Sequence, residues 1–253
     1  MSYIATTDYL IEVARGNVSG ASLMHKFGRN DAVPNGSWAF VNLLGFTAWP
    51  LSAATTVRIK AGGNAADTAA GAGAREVTVT GVDSTLAEVS EAIATAGAGA
   101  SAATTASFWR PYRAFVSSAG TYGAANTAAI TIENSAGGTD LIQIATEEGQ
   151  TQFGGYTIPT GKTGYLLSLH VHVDSKKITN FRMMTRADMN DAAAPMKSAR
   201  LRLHFDGIEG SMMYTPRAPE FSIPALTDIW VEAWGDGAVS EVSADFEVLL
   251  IDD

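Results

Sequence analysis

From Arg75 to its last residues the chain alternates apolar and polar side chains in short runs. Val77 and Val79 alternate with Glu76, Thr78 and Thr80, Ile130 and Ile132 with Thr131 and Glu133, and Phe246, Val248 and Leu250 with Glu247 and Leu249. A period of two puts successive side chains on opposite faces of a sheet, so each run reads as a strand with one buried face. Turn residues recur about every 8 to 12 positions, the spacing of a sandwich or barrel. The fold class this predicts is all-β.

The 253 residues are long for one sandwich and suit two β-sandwich or jelly-roll-like modules, since domains run to about 100–150 residues. Residues 1–35 read as an extended N-terminal arm, in which Thr7 caps a short helix holding Tyr9, Leu10 and Val13, stopped by Gly16 and Asn17. Residues 25–35 are polar and turn-rich, as expected of a segment that packs on a neighbouring subunit. Residues 36–158 form the first β module, and residues 159–253, after the turn at Pro159 and Gly161, the second, an eight-stranded sandwich of jelly-roll type.

Two stretches, 61–74 and 92–106, are so rich in Ala, Gly, Thr and Ser that they suit loops or thin edge strands. Residues 83–96 satisfy two patterns. Thr85 with Glu88 has capping-box spacing, and Leu86, Val89 and Ile93 have helical spacing. A hairpin with residues 76–80, turning at Gly81, Val82 and Asp83, competes, because Val89, Glu91 and Ile93 also fit a period of two. The strand is the expectation taken here.

A formal charge of −9 would repel a phosphate backbone, so direct nucleic-acid binding is not expected. The absence of cysteine removes disulfides, thiolate metal sites and a cysteine nucleophile. No signal peptide or membrane-spanning run is read, and a soluble chain is the expectation.

Few residues offer chemistry. His170, His172 and Asp174 share one strand face, as do His204 and Asp206, and would converge on a divalent metal only if their strands were neighbours. A polar outer face is the simpler account. No nucleophile elbow, phosphate loop or dinucleotide fingerprint occurs, and the adjacent Glu147 and Glu148 cannot flank one glycosidic bond. Trp38, Trp49, Trp109, Trp230 and Trp234 offer sugar-stacking surfaces, although core margins and subunit contacts use tryptophan equally well. Met183, Met184, Met189, Met196, Met212 and Met213 read as core filling, or as adaptable contacts between subunits.

Several segments together carry a resemblance: HKFGRN from His25, GAREVTVTGVDSTLAEVSEAI from Gly73, SFWRPYRAFVSSAGT from Ser107, ITIENSAGGTDLIQI from Ile130, GQTQFGGYTIPTGKTGYL from Gly149, and the ending VSADFEVLLIDD. In this order the chain resembles a family of virion structural proteins of tailed bacteriophages. It departs from that pattern after Asn30, at DAVPNGSWAF, and in the Ala-rich residues 94–106. The resemblance implies a non-enzymatic particle component located in the virion, a capsid-associated cement, decoration or minor head protein or a subunit near the portal and tail, with no catalytic residues; no cofactor or metal is expected. Its expected partners are the major capsid protein or neighbouring virion subunits and copies of itself, a trimer being the guess. Tyr9, Leu10, His25, Lys26, Phe27, Arg29 and Asn30 are the expected contact residues. Deleting residues 1–35 would then abolish incorporation and leave a folded core. A receptor- or glycan-binding module on a tail or fibre is the alternative.

Overall fold

The computed structural model describes residues 8–46, 53–174, 176–191, 193–217 and 222–253. Helix α1 (Tyr9–Ala14) is capped by Asp8, whose carboxylate accepts from the amides of Leu10 and Ile11. The expected cap, Thr7, lies outside the described residues. Strands β1 (Ala21–Val33) and β2 (Trp38–Phe40) follow, then β3 (Thr55–Ile59), β4 (Ala74–Val82), β5 (Glu88–Ala94), β6 (Ser107–Phe108), β7 (Arg110–Ala119), β8 (Ile130–Asn134) and β9 (Asp140–Ile144). The rest are β10 (Gly155–Ile158), β11 (Lys162–Val173), β12 (Ile178–Arg186), β13 (Arg200–Ile208), β14 (Ser211–Tyr214), β15 (Ser222–Ile223), β16 (Thr227–Asp236) and β17 (Ser240–Asp252). The all-β expectation holds.

Two of the sheets carry jelly-roll topology. One runs β1-β17-β11-β14, with β15 beside β11; the other runs β10-β16-β12-β13, with β2 beside β16. Apart from the steps from β2 to β10, from β12 to β13 and from β14 to β15, successive strands of these sheets switch between them, and the chain closes two Greek keys over one core. Leu169, Val171 and Val173 of β11 and Phe246 and Val248 of β17 are buried together with Phe181 and Met183 of β12 and Val231 and Ala233 of β16. The period-two pattern at the C-terminus is this inward face.

The first strand of the second sheet is cut in two. β2 pairs with Glu232–Trp234 of β16, and β10 pairs with Thr227–Trp230 of the same strand. The chain leaves this line at Val41 and returns at Gly154, where the Gly154 amide donates to the Val41 carbonyl over 2.9 Å. Asn42 and Phe153 form a bridge at the same point. Everything from β3 to β9 is thus inserted within one jelly-roll strand, so the jelly roll is discontinuous in sequence and the division expected at Pro159 lies earlier, at Gly154.

The inserted module has sheets β6-β3-β8-β9 and β5-β4-β7. Its core contains Val57, Ile59, Val77, Val79, Phe108, Ile130, Ile132 and Ile142. Residues 83–96 form the expected hairpin arm, with β5 antiparallel to β4. Thr85 caps no helix: its amide and hydroxyl both donate to Asp83 Oδ1 at 2.7 Å, which builds the turn instead. The small-residue stretches are tied by buried polar groups. Asp67, 3% exposed, accepts from the amides of Ala74, Thr127 and Ala128, and the hydroxyls of Ser101 and Thr104 accept from the amides of Ile59 and Val57 on β3.

The extended N-terminal segment finds its partner within its own chain. β1 runs antiparallel to β17 from Ala21↔Ile251 to Val33↔Ser240. Residues 25–33 are strand rather than turns, because they pair with the C-terminal strand from His25↔Glu247 to Asn30↔Val242 and again at Val33↔Ser240. Removing residues 1–35 would strip this partner and uncover Phe246 and Val248, so the truncated chain is expected to lose its cooperative thermal transition by near-ultraviolet circular dichroism. A folded core is no longer the expected outcome.

Candidate functional site

The seven expected contact residues fall into three environments. Tyr9 and Leu10 are exposed on α1, at 49% and 38%. Beside them an apolar groove of about 550 Å³ is lined by Leu10, Tyr165, Leu167, Pro216, Leu249 and Ile251. His25, Phe27 and Arg29 lie on the outer face of the first sheet, where Arg29 pairs with Glu148 of the inserted module at 3.0 Å. Lys26 and Asn30 belong to the opposite parity and are buried. Asn30 donates to the Phe40 carbonyl and accepts from the Ala32 amide, which locks the bend after β1.

Lys26 joins the two modules. In β7 the register runs from Thr80↔Arg113 to Gly81↔Pro111, which leaves Tyr112 as the extra residue of a bulge. Its carbonyl accepts from Lys26 Nζ at 2.5 Å, and the ammonium lies over the Tyr112 and Phe153 rings at 5.2 and 5.7 Å. Burial, with Arg113 adding repulsion, lowers the Lys26 pKa to about 7. Around it the Tyr112 and Tyr156 rings meet edge-on at 4.9 Å, and the Tyr112 hydroxyl donates to Glu88. Burial pushes both phenols well above their ordinary range.

The sign of the resulting pH dependence follows. A lysine whose folded pKa lies below its unfolded value carries its full burial penalty below pH 7, and the penalty is relieved as pH rises. Stability is therefore expected to increase between pH 7 and about 9.5 by about 3 kcal/mol. Above pH 10 the two tyrosines oppose the trend. Urea midpoints at stepped pH should show the rise, and Lys26→Met should flatten it.

A second contact between the modules is a buried ion pair. Arg110 Nε and Nη2 donate to Asp228 Oδ2 at 3.3 and 3.4 Å, while the Thr157 hydroxyl donates to Oδ1 at 2.7 Å. Burial pushes the Asp228 carboxyl up, against the pull of Arg110 and Thr157, and pushes Arg110 down. Nothing in the local pattern around Arg110 or Asp228 marks this pair, because its members are far apart in sequence and on different modules.

The histidines do not converge. β11 carries His170 and His172 in the first sheet and β13 carries His204 in the second, so the adjacency a shared metal needs is not met. No group of three His, Asp or Glu side chains placed to hold a metal occurs among the described residues. His170 instead contacts Asp245 at 3.2 Å, with His25 on the same carboxylate at 3.7 Å. Glu148 is engaged by Arg29, as a loop acidic residue would be.

Three tryptophans gather on the outer face of the second sheet. Trp38 meets Trp234 edge-on at 5.6 Å and His204 at 5.6 Å, with the Arg182 guanidinium over its ring at 4.2 Å. Glu232 ties the group together, accepting from Trp230 Nε1 at 2.7 Å and from Arg182 at 2.6 Å. Trp109 packs against the core, and Trp49 lies outside the described residues. The methionines divide: Met183 and Met189 are buried, whereas Met196 and Met213 are exposed.

No protein-family model matches the chain, and no curated protein matches it. Among solved structures it is similar to one titled "Structure of infectious bursal disease virus Gt strain", at 10% identity over 92% of this chain and 73% of that chain, with a TM-score of 0.23. That score is too low to indicate a shared fold.

Proposed function

We propose that this chain is a non-enzymatic structural protein of a virus particle: a cement, decoration or minor head protein of a tailed bacteriophage, as the resemblance in its strand segments implies. One observation carries the reading. Tyr9, Leu10 and Ile11 are exposed on α1 beside the apolar groove of the first sheet, while the jelly-roll core behind them is already closed. An apolar surface of this kind, bordering a finished core, suits contact with another chain. Many identical copies on a lattice add weak contacts into lasting attachment. The partners are then the major capsid protein, neighbouring virion subunits and copies of this chain, with a trimer suited to threefold positions.

A tagged copy supplied during infection by the virus that encodes it is expected to purify with intact heads. Substituting Leu10→Asp and Ile11→Asp on the exposed face should lower incorporation at least about tenfold, with an unchanged far-ultraviolet circular dichroism spectrum. Heads that carry the doubly substituted chain at normal copy number would refute the reading.

A second reading, a receptor- or glycan-binding module, is favoured by the Trp38–Trp234 pair flanked by Arg182 and Glu232. Aromatic faces bordered by such polar groups suit sugar rings. Glycan-array binding that is lost in Trp234→Ala would select it over the first.

A further inference from the structure

We infer that the cleft between β1 and β7 is a binding site for an oxyanion, a carboxylate or a phosphate, held by Lys26 and Arg113. The cleft has a volume of about 430 Å³ and joins these two cations to Gln150 and Thr151, with Leu23, Met24 and Phe27 as its apolar wall. None of the described residues lining it is acidic. Arg15, Arg29, Arg58, Lys60, Arg110, Lys162, Arg182 and Lys197 all have carboxylate partners. Lys26 and Arg113 have no carboxylate partner among the described residues, and both line this one cleft, where Arg113 repels the lysine's charge.

Their hydrogen-bonding capacity is also unspent. A protonated lysine has three donors, and Lys26 gives one to the Tyr112 carbonyl. Arg113 lies on the Phe115 ring at 5.1 Å, which orients its guanidinium without neutralising it. The other titratable groups nearby are His25, at the mouth with Asp245 at 3.7 Å, and the Tyr112 phenol, which points away to Glu88. An oxyanion between the two cations would relieve their repulsion, occupy the free N–H groups and restore the lysine's charge. Binding and proton uptake by Lys26 are therefore linked.

The anion could be a free small molecule or an acidic side chain of a second copy. The site does not depend on the particle reading; only the second source does. The test follows the 13Cε signal of Lys26 by NMR while acetate or inorganic phosphate is added at pH 6.5 and low ionic strength. The expected result is a saturable 1:1 shift with a rise in the lysine's titration midpoint. Acetate affinity should weaken about tenfold per pH unit above 7. Arg113→Ala, at an exposed position, should weaken binding at least about fivefold without unfolding the chain, and in Lys26→Met calorimetry should find no binding.

A shift that grows linearly with anion, or saturable binding unchanged in Arg113→Ala, overturns the proposal. A midpoint that rises with protein concentration alone, and an oligomer that phosphate dissociates, assign the anion to a second copy. A midpoint independent of protein concentration, with mass unchanged by phosphate, assigns it to a free ligand. These results stand apart from the particle experiment, because they are read on the isolated protein.

Discussion

Arg110→Met is expected to destabilise the protein by about 3–5 kcal/mol, because it leaves Asp228 as a buried carboxylate with only the Thr157 hydroxyl and a more distant Arg186 to offset its burial. Arg110 is 0% exposed and Asp228 is 2%, so water cannot take the place of the missing guanidinium. The pair spans the two modules, and its loss should loosen the inserted module first. Urea denaturation followed by tryptophan fluorescence measures the effect. The double substitution Arg110→Met with Asp228→Leu should recover most of the loss, since apolar residues of similar volume replace buried ion pairs at little cost. A single substitution costing less than about 1 kcal/mol would mean that the pair does not hold the modules together.

Gly28→Ala is expected to cost about 3 kcal/mol or more. A Cβ on Gly28 would lie 2.2 Å from the Val41 carbonyl oxygen and 2.4 Å from the Gly154 amide nitrogen. Both are backbone atoms of the seam where the interrupted strand rejoins, so no side chain can rotate out of the way. Either β1 lifts from its place or the seam opens. Hydrogen exchange at the Gly154 amide, which donates to Val41, should accelerate in the variant. Gly99→Ala is the control: its Cβ would meet its nearest neighbour, the Ala96 carbonyl oxygen, at 3.5 Å, an ordinary contact. A Gly28→Ala variant as stable as this control would remove the seam from the account of the fold.

Much of the fold was legible from local pattern. Val77 and Val79, Ile130 and Ile132, and Phe246 and Val248 are buried on the faces that a period of two assigns them. The ambiguous residues after Asp83 became a strand because β4 offers them a ladder, which a helix there would have left unpaired. The environment of β1 was not legible in the same way. Its inward set, Met24, Lys26, Gly28 and Asn30, is no more apolar than its outward set, Leu23, His25, Phe27 and Arg29, so alternation alone could not say which face was buried. The structure resolves this with uses other than apolar burial: a carbonyl for Lys26, a backbone seam for Gly28 and a bend for Asn30.

The candidate sites divide similarly. Tyr9 and Leu10 are exposed, whereas Lys26 and Asn30 are used inside the chain. The metal reading depended on strands that turned out to lie in different sheets.

Residue order by itself determined that this protein is built of strands, that one face of each is apolar, and roughly where most of them turn. Those properties are local, fixed by side-chain period and turn chemistry within a few residues. Only the tertiary structure decided that β1 closes against β17, that one jelly-roll strand is interrupted to admit a module, and that Lys26 and the Arg110–Asp228 pair are buried between the modules. Partner choice, burial of a charge and the meeting of distant backbones depend on segments 86 to more than 200 residues apart in the chain, which no short window contains.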